Sequence, residues 1–193
     1  MPQRARTPTA AVVCVWLALV ATTAAAQDTY SGFLCCNMRS DGRWISDINY
    51  AESGKVLLPL GTPVTITGYG RQRVLVEIKG KAQALGNDYS RDMPLDAFAQ
   101  RYVLREDPAL RLAAWPEKVQ RAVRSARVTR GMTREQVVMA VGYPVTSENP
   151  HLDAPDWRYW LHTFQEFRVF FDDAGQVREV RTDPDTRRIV VLD

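Results

Sequence analysis

The chain has 193 residues, with 25 Lys and Arg against 22 Asp and Glu and a hydrophobic fraction of 46%. Three cysteines are too few for a disulfide-stapled scaffold, and no block of Lys or Arg marks a nucleic-acid-binding surface. No internal repeat and no low-complexity tract is present.

Arg4 and Arg6 precede an apolar run over residues 10–20, and Ala24, Ala25 and Ala26 supply a small-residue cleavage site. This order of features predicts a secretory signal peptide over residues 1–26. The run is shorter than the ~20 residues of a spanning helix. No later stretch is long and apolar enough to span, so the mature chain is expected to have no transmembrane segment. Cys14 lies inside the apolar run behind Val12 and Val13, unlike a lipoprotein cleavage site. The expectation is a soluble periplasmic protein without a lipid anchor. Residues 27–193 keep 23 basic and 22 acidic side chains, so the basic pI of about 8.9 is partly a property of the leader. Their two cysteines, Cys35 and Cys36, are adjacent. An ordinary disulfide needs a wider Cα separation. Reduced or buried thiols are expected, with a vicinal bridge or intermolecular pairing as the alternatives.

Residues 27–37 read as a linker or first strand, and residues 44–50 as a short strand. The clearest β region then begins. Residues 55–60 run into Gly61, Thr62 and Pro63; residues 64–69 and 73–78 alternate in polarity around a tight connection; residues 82–85 pair back after Gly80 and Lys81. Short strands joined by glycine-containing turns predict a small antiparallel barrel or sandwich. The segment from Leu58 to Gly80 resembles bacterial SH3-like modules, with Val74 and Val76 where such modules often carry a tryptophan. Residues 94–103 have Leu95, Phe98, Ala99 and Tyr102 at helical spacing. A boundary between Glu106 and Ala114 divides residues 27–106 from residues 107–193.

The second unit opens with Pro116, suited to a first helical turn. Val119, Ala122, Val123 and Ala126 form one face of a helix over residues 116–126, with Lys118, Arg121, Arg124 and Arg127 mostly on the other. The simple reading of that basic face is a solvated surface; the functional one is contact of Arg121 and Arg124 with anionic lipid headgroups or an acidic partner.

Residues 131–144 spell a short helix with both ends written in. Thr133 and Gln136 make a capping box, Met132 and Val137 a hydrophobic staple, and Glu135 suits the positive end of the helix dipole. Gly142 and Pro144 end it. Val137, Val138 and Val141 form the apolar face. A helix of about two turns is marginal alone, so this face requires a partner. Residues 157–162, 166–171 and 176–182 supply one as three strands, the last with a bulge because Val177 and Val180 have opposite parity. Residues 172–175 form the turn between the second and third, with Gly175 at a positive φ. Residues 189–192 read as an edge strand.

Gly131-Met132-Thr133, Gln136-Val137, Gly142-Tyr143-Pro144, Trp157 with Tyr159, the Val169-Phe170-Phe171 strand and the Gly175-Gln176-Val177 turn together resemble the SmpA/OmlA domain. That is the fold of a small lipoprotein component of the outer-membrane β-barrel assembly machine. The resemblance implies two helices on a three-stranded antiparallel sheet, and a non-enzymatic binding or scaffolding module of the cell envelope. Two features depart from that lipoprotein: the chain lacks its lipid-anchor cysteine, and a β unit stands in front. The fold expected for the whole is α+β, an SH3-like antiparallel barrel followed by a helix–helix–sheet domain.

Catalytic chemistry finds little support. His151 and His162 are the only histidines, no serine lies in a Gly-x-Ser-x-Gly elbow, and a pairing of Cys35 or Cys36 with His162 would bridge the two units. His151, Asp153 and Asp156 are loosely spaced in a proline-marked loop, and Asp172 with Asp173 belongs to a turn. There is no phosphate-binding or dinucleotide fingerprint. No enzyme, metal or cofactor is expected. Strict alternation instead sets Trp160 and Phe170 on the sheet face opposite Trp157, Tyr159, Phe167 and Phe171. One face covers helices, so the other presents large aromatics of the kind that mark protein-binding surfaces. The partner expected is an envelope protein, bound at the face or edge near Trp160 and Phe170. The alternative is a peptidoglycan-binding module acting through Tyr69, Tyr89 and residues 71–73.

Overall fold

A computed structural model describes residues 28–193. The expected leader lies outside the described residues.

The front half is one eight-stranded sheet. Its strands are β1 (Ser31–Leu34), β2 (Met38–Ser40), β3 (Trp44–Ser46), β4 (Val56–Leu58), β5 (Pro63–Gly70), β6 (Arg73–Ile78), β7 (Lys81–Gly86) and, after helix α1 (Leu95–Tyr102), β8 (Val103–Leu104). Their order is β4-β2-β3-β7-β6-β5-β1-β8. The alternation of β6 converts directly into packing: Val74, Val76 and Ile78 are buried while Arg73, Leu75 and Glu77 face out. β5 and β6 form the expected hairpin, with a register shift between Ile66 and Gly68. The sheet is not purely antiparallel, however. β3 runs parallel to β7, pairing Trp44 with Ala84, Ile45 with Leu85 and Ser46 with Gly86. The three-residue strands β2 and β3 are too short for alternation to register in the sequence, yet they extend the expected hairpins into a wider mixed sheet.

The back half begins with the short α2 (Ala109–Leu112) and α3 (Glu117–Arg124), followed by α4 (Arg134–Val141). In α4 both hydrogen bonds of the capping box form: Thr133 N donates to Gln136 Oε1 at 2.9 Å, and Gln136 N donates to Thr133 Oγ1 at 3.3 Å. Gly142 ends the helix at φ 91°, a conformation costly for residues with a Cβ. Then come β9 (Asp156–His162), β10 (Gln165–Phe171) and β11 (Val177–Arg181), an antiparallel sheet in the order β11-β10-β9. The expected bulge is present: Phe170 faces Glu179 and Phe171 faces Val177, so Arg178 has no opposite residue. Gly175 takes φ 73° in the turn before it.

The chain ends differently from expectation. Residues 184–190 form helix α5 (Pro184–Val190), not a strand. Asp183 accepts from the amides of Asp185 and Thr186, and Pro184 sits in the first turn. This Asp-Pro start outweighs the local β propensity of the Ile189–Leu192 run. Only Val191 pairs as a strand residue, in an isolated parallel bridge with Val128.

The two halves share one core. The sequence expects a single apolar face on α4, but every residue from Gln136 to Val141 is buried. Two front-half asparagines close the helix end. Asn37 N donates to Met139 O, and Asn37 Nδ2 to Ala140 O at 3.0 Å and to Val123 O of α3 at 2.6 Å. Asn49 Nδ2 donates to Val141 O at 2.9 Å. With Gly142 N on Val138 O, all four C-terminal carbonyls that a helix leaves open are satisfied, three of them by the front half. Cys35 and Cys36 lie beside this junction, buried and joined by a vicinal disulfide across a Cα separation of 3.7 Å. The bridge takes the place of the reduced thiols expected from adjacency and is the vicinal alternative.

Candidate functional site

The three-stranded sheet has one face packed inward and one face outward. Trp157, Tyr159 and Leu161 of β9, Phe167, Val169 and Phe171 of β10, and Val177 and Val180 of β11 are all buried. Trp157 meets Phe171 edge-on at 4.8 Å, and Tyr159 stacks on Phe167 at 5.1 Å. The Tyr159 hydroxyl donates to Gly142 O, and burial pushes its pKa well above the ordinary value, so it stays a neutral donor.

The outward face carries Arg158, Trp160 and His162 from β9 and Glu166, Arg168 and Phe170 from β10, flanked by Glu179 and Arg181 of β11. Trp160 and Phe170 are half-buried, and the structure shows by what. The Arg158 guanidinium lies 4.5 Å over the Trp160 ring, and that of Arg181 lies 4.3 Å over Phe170. The Trp160 indole donates to both carboxylate oxygens of Glu148, at 3.0 and 2.9 Å. Arg158 pairs with Glu166 and with Glu148, and Arg168 with Asp156 at 3.3 Å. Arg181 also holds the Glu179 carboxyl below its ordinary range. The exposed Arg181–Glu179 pair and its exposed cation–π stack contribute little, whereas Arg158, Glu148 and Glu166 are partly buried and held together. The surface is therefore a pair of aromatic rings covered by arginines, of which the exposed Arg181 is displaced at small cost.

The edge of β9 is closed. Asn149 acts as a substitute strand: its Oδ1 accepts from Arg158 N at 2.7 Å and its Nδ2 donates to Arg158 O at 3.0 Å. Further along, Ala51 N donates to Leu161 O at 2.8 Å. Addition of a strand here would have to break these bonds, so the face rather than this edge is the open surface.

Arg121 and Arg124 sit elsewhere. Both are exposed on α3, where Arg121 pairs with Glu117 at 2.8 Å and Arg124 donates to Gln120 at 2.9 Å. No ion pair or stacking contact among the described residues joins them to Trp160 or Phe170. Tyr69 and Tyr89 are not brought together either. The Tyr69 hydroxyl donates to Asp28 O, whereas Tyr89 lies by Thr146 and Ser147. Arg73 stacks on Trp44 at 4.4 Å.

One exposed aromatic, Phe164, is not singled out by the sequence reading. Its side chain is 89% exposed at the tip of the β9–β10 hairpin. The signal was available: Thr163 and Phe164 form a two-residue loop, and such a loop has no core to turn towards. Among the described residues no group of three or more His, Cys, Asp or Glu is arranged for a metal ion, and no helix is long and apolar enough to cross a membrane. Asp156 is engaged by Arg168 and His151 is exposed.

Residues 124–181 match the family model of the outer membrane protein assembly factor BamE domain, the SmpA/OmlA family. The matched stretch runs from the end of α3 through α4 and all three strands of the back sheet. No curated protein and no solved structure matches the chain.

Proposed function

We propose, from a back half that matches the BamE domain, that the chain is a non-enzymatic adaptor of outer-membrane assembly or maintenance. It works in the periplasm and binds an envelope protein through the outward sheet face at Trp160 and Phe170. One observation carries this reading. Within the matched segment one sheet face is wholly covered by core, while the other holds two large aromatics, Trp160 under the partly buried Arg158 and Phe170 under the exposed Arg181. Aromatic and arginine side chains are the residues that most often dominate protein interfaces. Phe164 adds a further exposed aromatic at the tip of the same β9–β10 hairpin.

Site-specific photo-crosslinking from position 170 in intact envelopes, with a crosslinker at exposed Lys81 as control, tests the site. A discrete protein adduct from position 170 that disappears in Trp160→Ser supports it. Equal adducts from both positions, or adducts unchanged by Trp160→Ser, would remove the sheet face from the mechanism.

A further inference from the structure

A second site lies where the two halves meet. A cleft of about 390 Å³ opens between the front sheet and α4, within the size range of small-molecule sites. Its walls are apolar: Cys35 of the disulfide and Leu104 from the front half, Val138, Met139 and Trp157 from the back. Its rim is charged, with Arg111 of α2, Arg134 and Glu135. Two arginines against one glutamate leave the rim positive, and Arg101, 4.9 Å over the ring of the lining residue Tyr143, adds a third cation nearby.

The cations differ in how they are held. Arg134 is fixed: it donates to Asp153 O and Ala154 O and lies 4.4 Å over Phe171. Arg111 is held only by an ion pair with Glu135, and both side chains are about half exposed (54% and 49%). Such a pair adds little stability, so another carboxylate can take the place of Glu135. Two residues that line the cleft carry a buried donor with no acceptor among the described residues: Trp157, itself 1% exposed, at Nε1, and Arg134 at Nε. Buried donors in a native protein are rarely left open.

We propose that this cleft binds a small amphipathic carboxylate of the fatty-acid class. Its apolar chain lies against Val138, Met139 and Trp157, and its carboxylate replaces Glu135 on Arg111. The planar guanidinium and carboxylate match as a bidentate pair. The site needs both halves, so it is a property of this two-part architecture and is separate from the outward sheet face.

The test uses the whole chain and decanoate below its micelle-forming concentration, followed by calorimetry and by the NMR signal of the Trp157 indole N–H, assigned with Trp157→Phe. The expected result is saturable one-site binding that moves this signal, with decanol and acetate each at least about tenfold weaker. Arg111→Gln weakens decanoate binding about tenfold, and Glu135→Gln strengthens it, because the internal competitor is gone. A merely structural role for the pair would give no such opposite signs. Absence of saturable binding, equal affinity for decanol, or affinity unchanged in both variants overturns the proposal. If Arg111→Gln fails to fold, Glu135→Gln decides alone: tighter binding supports the site, and unchanged binding removes it.

Discussion

Asn49 Nδ2 donates at once to Asn37 O (3.0 Å) and to Val141 O (2.9 Å). A single buried amide thus joins a front-half loop to the last turn of α4. Asn49 Oδ1 accepts from Arg39 N at 2.8 Å, and Asn37 Oδ1 accepts from Leu60 N at 3.0 Å, so both side chains use both ends. Asn49 holds φ 57° to do so, a conformation asparagine tolerates better than most residues. The same contact adds to the positive φ in favouring Gly142: a Cβ there would lie 3.2 Å from Asn49 Nδ2.

Removal of either amide leaves several buried backbone groups open. Asn37→Ala strands Val123 O, Ala140 O and Leu60 N; Asn49→Ala strands Val141 O and Arg39 N. Each substitution is expected to cost about 2–5 kcal/mol, read from urea unfolding. Asn37→Asp keeps the acceptor for Leu60 N but faces two carbonyls with a carboxylate, so it should be no better than Asn37→Ala near neutral pH. A cost below about 1 kcal/mol for Asn37→Ala would show that water replaces these bonds freely.

The same bonds predict how the chain comes apart. Three carbonyls of the last turn of α4 are satisfied from the front half, and residues of both halves lie in one buried cluster. The full chain should unfold in one cooperative transition, with the signals of Trp44 and Trp157 changing together. A fragment of residues 107–193 should show little stable structure by circular dichroism. Two separated transitions, or a well-folded fragment, would contradict this.

The outward aromatics should separate binding from stability. Trp160 and Phe170 are half-buried beneath arginines, so Trp160→Ser and Phe170→Ser are each expected to cost no more than about 1 kcal/mol. Phe171, one position on and 4% exposed against Trp157, should cost about 3–5 kcal/mol when changed to Ala. Thermal melts of the three variants make the comparison. Similar losses at 170 and 171 would mean that the outward face is core.

Asp47 gives a pH signature. Its side chain is buried and accepts from Asp88 N and Tyr89 N. Burial raises its pKa above the ordinary aspartate value, more than these hydrogen bonds lower it. The folded state therefore holds this proton more tightly than the unfolded chain. Its contribution to stability is present at low pH and is lost as pH rises from about 4 through the raised value. The stability difference between the wild-type chain and Asp47→Asn should shift against the wild type across that window and then level off. A constant difference from pH 3 to 7 would show that Asp47 titrates normally.

Local features of the back half were legible because they depend on neighbours in the chain. Thr133 and Gln136 are three residues apart, the parity break between Val177 and Val180 calls for a bulge, and both appear as expected. The Asp183-Pro184 helix start was equally local, but the apolar run after it masked it. The alternation that points Trp160 and Phe170 outward also survives. Their arginine covers do not follow from it, because Arg181 reaches Phe170 from another strand.

By itself the sequence determined the strands with clear alternation, the caps of α4 and the side of the back sheet on which each aromatic lies; these follow from steric and hydrogen-bonding rules acting over a few residues. Only the tertiary structure decided that β3 joins β7 in parallel, that α4 is buried all round, and that Asn37 and Asn49 close its last turn. Asn37 and Ala140 are 103 residues apart, and no local preference of either residue specifies that meeting. It is fixed when the shared core brings a helix end with open carbonyls against two buried amides.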